Sequence, residues 1–466
     1  MQEKIMQEKI SLKEKIGYSV GDTASNLFFQ TFILFITIFY TDVFGITAKA
    51  VGTMFLITKI WDAINDPLMG IIADRTDTKW GKFRPYLAWV AVPFGVLGVL
   101  AFTTPEFGSL GKLVYAYITY TLIMMAYTAI NVPYSALMGV MTANSDERTV
   151  LSTFRFVAAF IGQLIVQYSV LKMVDIFGQE SEATGWQIAM GVLSALAVIL
   201  FFITFLTTKE RVHPPKNQVR DFKKDFADLK ANVPWILIGS ATIFQMIFNV
   251  MRGGAIVYFV EYYVKDQAFT FFGREYLFTY KGITSTYMMV GTVMTIIAVL
   301  ITPMISKRIG KAAVYKYFLI VAGISSGLVI FLKPDNLIML FLLQMIASFA
   351  IGPVSVTQWA LYTDTADYSE WKQNRRATGL VMSASLFALK LGIALGVSGL
   401  AWILAAHGYE PNVAQADHGL LGIRMVMSVY PMIAALIGGG LMFFYKLDHE
   451  MMVEIETELV RRRNEE

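Results

Sequence analysis

Apolar side chains along this chain come in long stretches, and polar side chains come in short clusters between them. A transmembrane α-helix needs roughly 20 predominantly apolar residues to cross the hydrocarbon core. About twelve stretches approach that length. They run Ile16–Asp42, Ala50–Ala73, Pro85–Thr104, Leu113–Met141, Val150–Met173 and Gly185–Thr207, then Val233–Val264, Ile283–Ile305, Val314–Leu332, Leu337–Tyr362, Gly379–Ala406 and Leu420–Tyr445. A polar stretch rich in Lys, Asp and Pro, Lys209 to Lys230, separates the first group from the second. The pattern predicts an all-α integral membrane protein with 12 transmembrane helices in two six-helix halves. The expected division is a tail at 1–15, a half at 16–207, a loop at 208–232, a second half at 233–446 and a tail at 447–466.

Composition removes the soluble alternative. The 466 residues are 56% hydrophobic and only 16% charged, against roughly 25% charged in soluble domains. A soluble chain of this length would split into domains that each need a polar surface, and there is too little polar material to coat them. Cysteine is absent, which excludes disulfides and thiolate metal sites. The histidines, His213, His407, His418 and His449, fall in loops or the tail, and none pairs at metal-ligand spacing. The start, Met1 to Lys15, is polar, repeats MQEKI and does not read as a secretory signal.

Charge then sets orientation. Lys and Arg crowd into the two tails, the loops around Arg75–Arg84, Lys307–Lys316 and Lys372–Arg376, and the central stretch. The opposite loops hold only scattered cations such as Lys49, Lys112 and Lys333. Cytoplasmic loops carry the excess of Lys and Arg, so both termini and the central loop are expected in the cytoplasm. Lys59, Arg155, Arg252 and Lys390 fall inside expected spans, as do Asp22, Asp62 and Asp66. A charge at the bilayer centre costs at least ~2.5–3.5 kcal/mol. Such residues survive where they face a hydrated interior and find partners. A weak echo between Gly70–Pro85 and Thr302–Ala313, both short basic turns at corresponding places, suggests repeated halves.

The chemistry concentrates in the second span, KIWDAINDP from Lys59 to Pro67. Asp62 and Asp66, four residues apart, share one helix face. Two stacked anions repel, and a cation between them removes the penalty. Asn65 adds a carbonyl oxygen, and Pro67 frees a backbone carbonyl. Three readings fit the pair: a Na⁺ site, one shared proton, or an ion-free salt bridge to Lys390 or Arg155. In the fourth span, Tyr127, Thr128 and Asn131 offer groups that either bind sugar hydroxyls or bond helices together. In the first span Asp22 and Asn26 sit one turn apart, with Ser25 beside Asn26. Trp359 in the tenth span is a stacking candidate for a sugar ring, or else an interfacial belt residue. The segment Asp364–Arg376 reads as a gate of salt bridges or a solvated loop.

At these residues the chain resembles the glycoside–pentoside–hexuronide:cation symporter family, a branch of the major facilitator superfamily that includes melibiose permease. The motifs run YTDVFG at Tyr40–Gly45, VGTMFL at Val51–Leu56, IWDAINDP at Ile60–Pro67, WGKFRP at Trp80–Pro85, NVPY at Asn131–Tyr134, DTADYSE at Asp364–Glu370 and YKLD at Tyr445–Asp448. The resemblance implies a Na⁺ site of Asp62, Asn65, Asp66 and Thr128. It implies sugar-site roles for Arg155, Tyr127 and Lys390. Asn26 and Asn131 stand where melibiose permease has aspartates, which argues against melibiose and toward a uronide held by Arg155, or a neutral pentoside or other glycoside.

The expected function is cation-coupled sugar symport by alternating access, with Asp22, Asn26, Tyr127, Asn131, Arg155, Trp359 and Lys390 toward the sugar. The expected partners are a small-molecule sugar, a monovalent cation (Na⁺, with Li⁺ or H⁺ as alternatives) and the lipid bilayer. We expect no cofactor, no nucleic acid, a monomer, and residence in a bacterial cytoplasmic (inner) membrane. The rivals are a cation-independent facilitator, a passive channel and a membrane-embedded enzyme. The last would need an intramembrane nucleophile–base pair or metal cluster, and no such motif is present.

Overall fold

Ser11 opens the first helix by accepting the Glu14 N–H on its side-chain oxygen at 3.3 Å, the capping role short hydroxyl residues favour. In the computed structural model, this helix is α1, Leu12–Ile38, continued by a π-helical turn at Phe39–Val43. The structure describes residues 10–142, 145–211, 231–271, 274–373 and 378–447, with 451, 452, 454, 455, 458 and 461 of the tail. The N-terminal repeat, most of the central polar stretch with His213, and Arg375, Arg376 and His449 lie outside the described residues, as do the side chains of Lys59, Pro67 and Arg148.

The remaining helices of the first half are α2 (Ala48–Arg75), α3 (Arg84–Trp89), α4 (Ala91–Ala101), α5 (Ser109–Met141), α6 (Ser145–Phe177) and α7 (Glu182–Thr207). The second half holds α8 (Val233–Tyr258), α9 (Tyr280–Ile309), α10 (Lys311–Gly327), α11 (Leu337–Gln373), α12 (Thr378–Ala406), α13 (Asp417–Met427) and α14 (Val429–Leu441). Among the described residues, 10 helices are long and apolar enough to cross a membrane. Of the other two expected spans, the second is α2, whose 28 residues reach about 42 Å at 1.5 Å per residue; its described apolar stretch is Ala48–Thr58, and Asp62 and Asp66 follow it. The third expected span, Pro85–Thr104, is broken at Val90 into α3 and α4. Pro93 has no N–H for the Trp89 carbonyl and its ring crowds that carbonyl. The twelfth expected span breaks at Ser428, where φ is −126° and ψ −71°, because Pro431 stands in the same relation to Met427. There Ser326 of α10 donates to the orphaned Met427 carbonyl at 3.4 Å.

The chain divides into two compact units, Met1–Gln218 and Val219–Glu466. They repeat one packing scheme. In the first, α1 packs on α6 and α7, α2 on α5, and α4 on α5 and α7. In the second, α8 packs on α12 and α14, α9 on α11, and α10 on α11 and α14. Counted by span, each half pairs its first helix with its fifth and sixth, its second with its fourth, and its third with its fourth and sixth. The faint sequence echo thus has a full structural counterpart. Large apolar side chains remain on the outside, Leu300 at 75% exposure and Phe331 at 80%, as expected where the surrounding medium is hydrocarbon.

An unanticipated element follows the π-helical end of α8 at Phe259–Val264. Strands β1 (Gln267–Phe271) and β2 (Arg274–Phe278) form an antiparallel hairpin, with Gln267 opposite Phe278. The apolar pattern alone predicts no strand in this segment.

The basic WGKFRP turn closes the first half at one end. Glu210 accepts the backbone N–H groups of Lys82 (2.8 Å), Phe83 (2.8 Å) and Arg84 (2.9 Å) on its carboxylate. Gly81 has φ +107°, and a Cβ there would lie 2.4 Å from the Glu210 carboxyl carbon. Only glycine meets both conditions. Beside it Arg211 pairs with Glu14 at 2.7 and 2.8 Å, so the end of α7 is tied to the start of α1. In the second half Lys311 donates to both Asp364 oxygens, at 2.7 and 2.9 Å, so Asp364 of the expected salt-bridge gate is held within its own half.

Candidate functional site

Three helices of the first half bring their polar faces together. On α1, Tyr18, Asp22 and Asn26 repeat every four residues and share one face. On α5, Tyr127, Asn131 and Tyr134, spaced four and three apart, also share one face. Helix α6 presents Arg155, Ala158 and Gly162. Gly162 lets α6 touch the backbone of α1, since a Cβ there would sit 2.9 Å from the Thr23 carbonyl oxygen and 3.0 Å from Asn26 Cβ. Thr23 reinforces the contact by donating to the Ala158 carbonyl at 2.9 Å.

That approach delivers Arg155 to Asp22. Its Nε donates to Asp22 Oδ2, and its Nη2 to Oδ1 at 3.2 Å. The Tyr134 hydroxyl lies 2.9 Å from the same Asp22 Oδ2. Tyr18 and Tyr134 stack with centroids 4.8 Å apart. The guanidinium sits over both rings, 5.0 Å from that of Tyr134 and 5.7 Å from that of Tyr18. Arginine gains here both from a two-point bond to carboxylate and from the ring faces.

This geometry corrects two expectations. Arg155 belongs to Asp22, so the ion-free bridge from Arg155 to Asp62 or Asp66 is overturned. The argument for a carboxylated sugar from an uncompensated Arg155 also loses its premise, because Asp22 already neutralises that guanidinium. The sequence reading missed Tyr18 and gave Tyr134 no role. The four-residue spacing of Tyr18 and Asp22 was the available signal.

The two amides are largely committed. Asn131 accepts from Ser25 Oγ at 2.6 Å and donates to the Tyr127 carbonyl at 3.0 Å. It therefore ties α5 to α1. Asn26 donates to the Asp22 carbonyl at 2.9 Å. Tyr127 lies half-buried between Phe29 and Phe94, with centroids 6.3 and 6.2 Å away.

A second cluster joins α2 to α5. Thr128 Oγ1 lies 3.0 Å from Asp62 Oδ1 and 2.8 Å from Asp66 Oδ1. A hydroxyl carries one proton, so it donates to one carboxylate at a time. Three oxygens from two helices converge, with Asp62 buried at 5% exposure. Asn65 sits half-buried on the same helix. All of these are hard oxygen donors, suited to an alkali cation or a proton rather than to a soft metal. Among the described residues, no three His, Cys, Asp or Glu side chains group as a metal site.

The two remaining candidates lie in the second unit. Lys390 is half-buried on α12. Trp359 is exposed on α11, edge-on to Tyr362 at 6.0 Å.

Known proteins agree with this architecture. The chain matches the MFS/sugar transport protein family over residues 17–449. The inner membrane symporter YicJ of Escherichia coli (strain K12) is 35% identical over 429 residues, covering 92% of this chain and 90% of that protein. The isoprimeverose transporter of Lactiplantibacillus pentosus is 33% identical over 460 residues, covering 97% and 93%. A solved bacterial homologue of the human drug peptide transporters PepT1 and PepT2 superposes with a TM-score of 0.66 over 96% of this chain and 99% of its own, at 12% identity. At that identity it speaks for the fold alone. The chain is thus a multi-pass membrane transporter and not an enzyme, and it belongs to the MFS/sugar transport protein family, in the glycoside–pentoside–hexuronide:cation symporter branch of the major facilitator superfamily.

Proposed function

We propose that this protein imports a glycoside, pentoside or hexuronide together with Na⁺ by alternating access across a bacterial inner membrane, as a monomer with both termini in the cytoplasm. The observation that carries the cation assignment is the meeting of Asp62, Asp66 and Thr128 oxygens between α2 and α5. A monovalent cation at that point offsets the repulsion of two carboxylates one turn apart. The neighbouring face of α1, α5 and α6, with Asp22, Asn26, Tyr127, Asn131 and Arg155, offers hydroxyl-binding groups and aromatic surface. In this reading Trp359 and Lys390 are the second half's contribution to the sugar. Related proteins named as a symporter and as a carrier of isoprimeverose, a sugar, favour the same class. Thermodynamic linkage requires that sugar raise cation affinity by the factor by which the cation raises sugar affinity.

The test is uptake of radiolabelled glycosides into vesicles, across a panel, with Na⁺, Li⁺ and pH gradients imposed separately. A Na⁺ gradient alone is expected to drive accumulation. Accumulation that follows the pH gradient and ignores Na⁺ would assign the same pocket to a proton. Uptake indifferent to both would make the protein a facilitator.

Thr128 supplies a sharper check. Thr128→Val keeps the branched shape and removes the hydroxyl. A hydrogen bond to a charged group contributes about 1.5–3 kcal/mol. The apparent Na⁺ affinity in uptake should therefore fall at least about tenfold, and Thr128→Ser should restore most of it. Unchanged Na⁺ dependence in Thr128→Val would remove Thr128 from the site.

A further inference from the structure

The second half holds a half-buried arginine in a setting like that of Arg155, with one part missing. Arg252 lies near the middle of the span Val233–Val264. Its Nη2 donates to the Tyr287 hydroxyl of α9 at 2.8 Å and to Gln344 Oε1 of α11. The guanidinium carbon lies 5.7 Å from the Tyr287 ring centroid, as Arg155 lies over its tyrosines. But Arg155 has Asp22, and among the described residues no carboxylate pairs with Arg252. Both its partners are neutral.

The setting is built rather than incidental. Tyr287 is 2% exposed and Gln344 5%. Gln344 also donates to the Tyr287 carbonyl at 3.0 Å. Its amide rests on Gly291, where a Cβ would come within 2.2 Å of Gln344 Nε2. A side chain at 291 would push Gln344 off the arginine. One edge of the guanidinium is thereby pinned, and the rest is uncommitted. Its Nε is buried with no hydrogen-bond partner, and among the described residues Nη1 donates to no group. Arg84 and Arg424 also have a buried Nε without a partner. However, each of these spends other nitrogens on backbone carbonyls, Phe205 for Arg84 and Ile330 for Arg424, beside a connecting turn. Among the described residues nothing compensates the positive charge of Arg252 in mid-span. A half-buried guanidinium of this kind is stabilised when an anion completes it, and the two-point fork of arginine suits oxyanions such as carboxylate.

We propose that Arg252, held by Tyr287 and Gln344, is an oxyanion site that takes the carboxylate or sulfonate of an acidic glycoside. It makes the carrier prefer acidic sugars over neutral ones. The anion site follows from the geometry of the second half alone, and only the sugar that brings the anion rests on the proposed function.

The test uses purified protein in nanodiscs, as wild type, Arg252→Gln and Arg252→Lys. Binding of 4-nitrophenyl β-D-glucuronide and 4-nitrophenyl β-D-xyloside is measured by calorimetry, with melting recorded in sodium glucuronate, sodium sulfate and sodium chloride. In Arg252→Gln, glucuronide affinity is expected to fall at least about tenfold. Xyloside affinity should stay within about twofold, and Arg252→Lys, which keeps the charge but not the two-point fork, should recover part of the glucuronide binding. Equal glucuronide affinity in wild type and Arg252→Gln would overturn the proposal. So would a matching loss for both glycosides, which marks Arg252 as structural. If wild type binds neither glycoside, the sugar reading is what fails. The anion site is then supported if glucuronate raises the melting temperature of wild type and not of Arg252→Gln, and overturned if it raises both or neither. Stabilisation by sulfate or chloride in place of glucuronate would assign the site to an inorganic ion and overturn the substrate preference.

Discussion

Asp62→Asn is expected to abolish Na⁺ stimulation of uptake while the protein stays folded. The amide keeps the shape of the side chain and an oxygen for Thr128, so the contact at 3.0 Å has a replacement acceptor. What changes is charge. Removing one carboxylate from about 4 Å of a cation forfeits on the order of 4 kcal/mol at an effective dielectric near 20. That is about a thousandfold in cation affinity. The stacked pair also stops repelling itself, so thermal stability should hold or rise. Uptake against Na⁺ concentration in proteoliposomes, with melting of the same preparation, decides the matter. Wild-type Na⁺-driven accumulation in Asp62→Asn would remove the pair from the coupling site.

The second large effect concerns the Asp22–Arg155 pair. Asp22→Asn leaves a guanidinium among tyrosines with no counter-charge, and Arg155→Gln leaves a carboxylate in the same place. Breaking one side of a buried pair costs 3–5 kcal/mol in general. These side chains keep 14% and 23% exposure, which places the expected loss at about 3 kcal/mol for each single variant. The double variant should lose less than the sum, since neither charge is then stranded. Melting midpoints of the three proteins give the coupling directly. Strict additivity would mean that the pair contributes nothing as a pair. Uptake is expected to fall at least about tenfold in each single variant, because the pair fixes the α1–α6 contact next to the sugar groups.

Proline placement explains breaks inside two expected spans that hydropathy alone does not show. Pro85–Thr104 and Leu420–Tyr445 each look like one apolar run, and hydropathy does not register a lost hydrogen bond. Pro93 and Pro431 carry that information, and in each case the break falls three residues before the proline. The hairpin at Gln267–Phe278 was missed for a different reason. Its strands are 5 residues each, too short for a repeating pattern to stand out between two long apolar runs.

The bilayer acts on each segment separately: a span must be long, apolar and internally hydrogen-bonded whatever its neighbours do. The run of long apolar helices and the anomaly of Asp62 and Asp66 within α2 were therefore legible from the residues in line. Partnership is a property of space. Asp22 meets Arg155 across 133 positions, and Thr128 meets Asp62 across 66. Only the packing of α1 on α6 through Gly162, and of α2 on α5, decided which charges neutralise each other and which, like Arg252, are left with neutral company. Charge pairing falls off with distance, and those distances are set by helix contacts that no local pattern records.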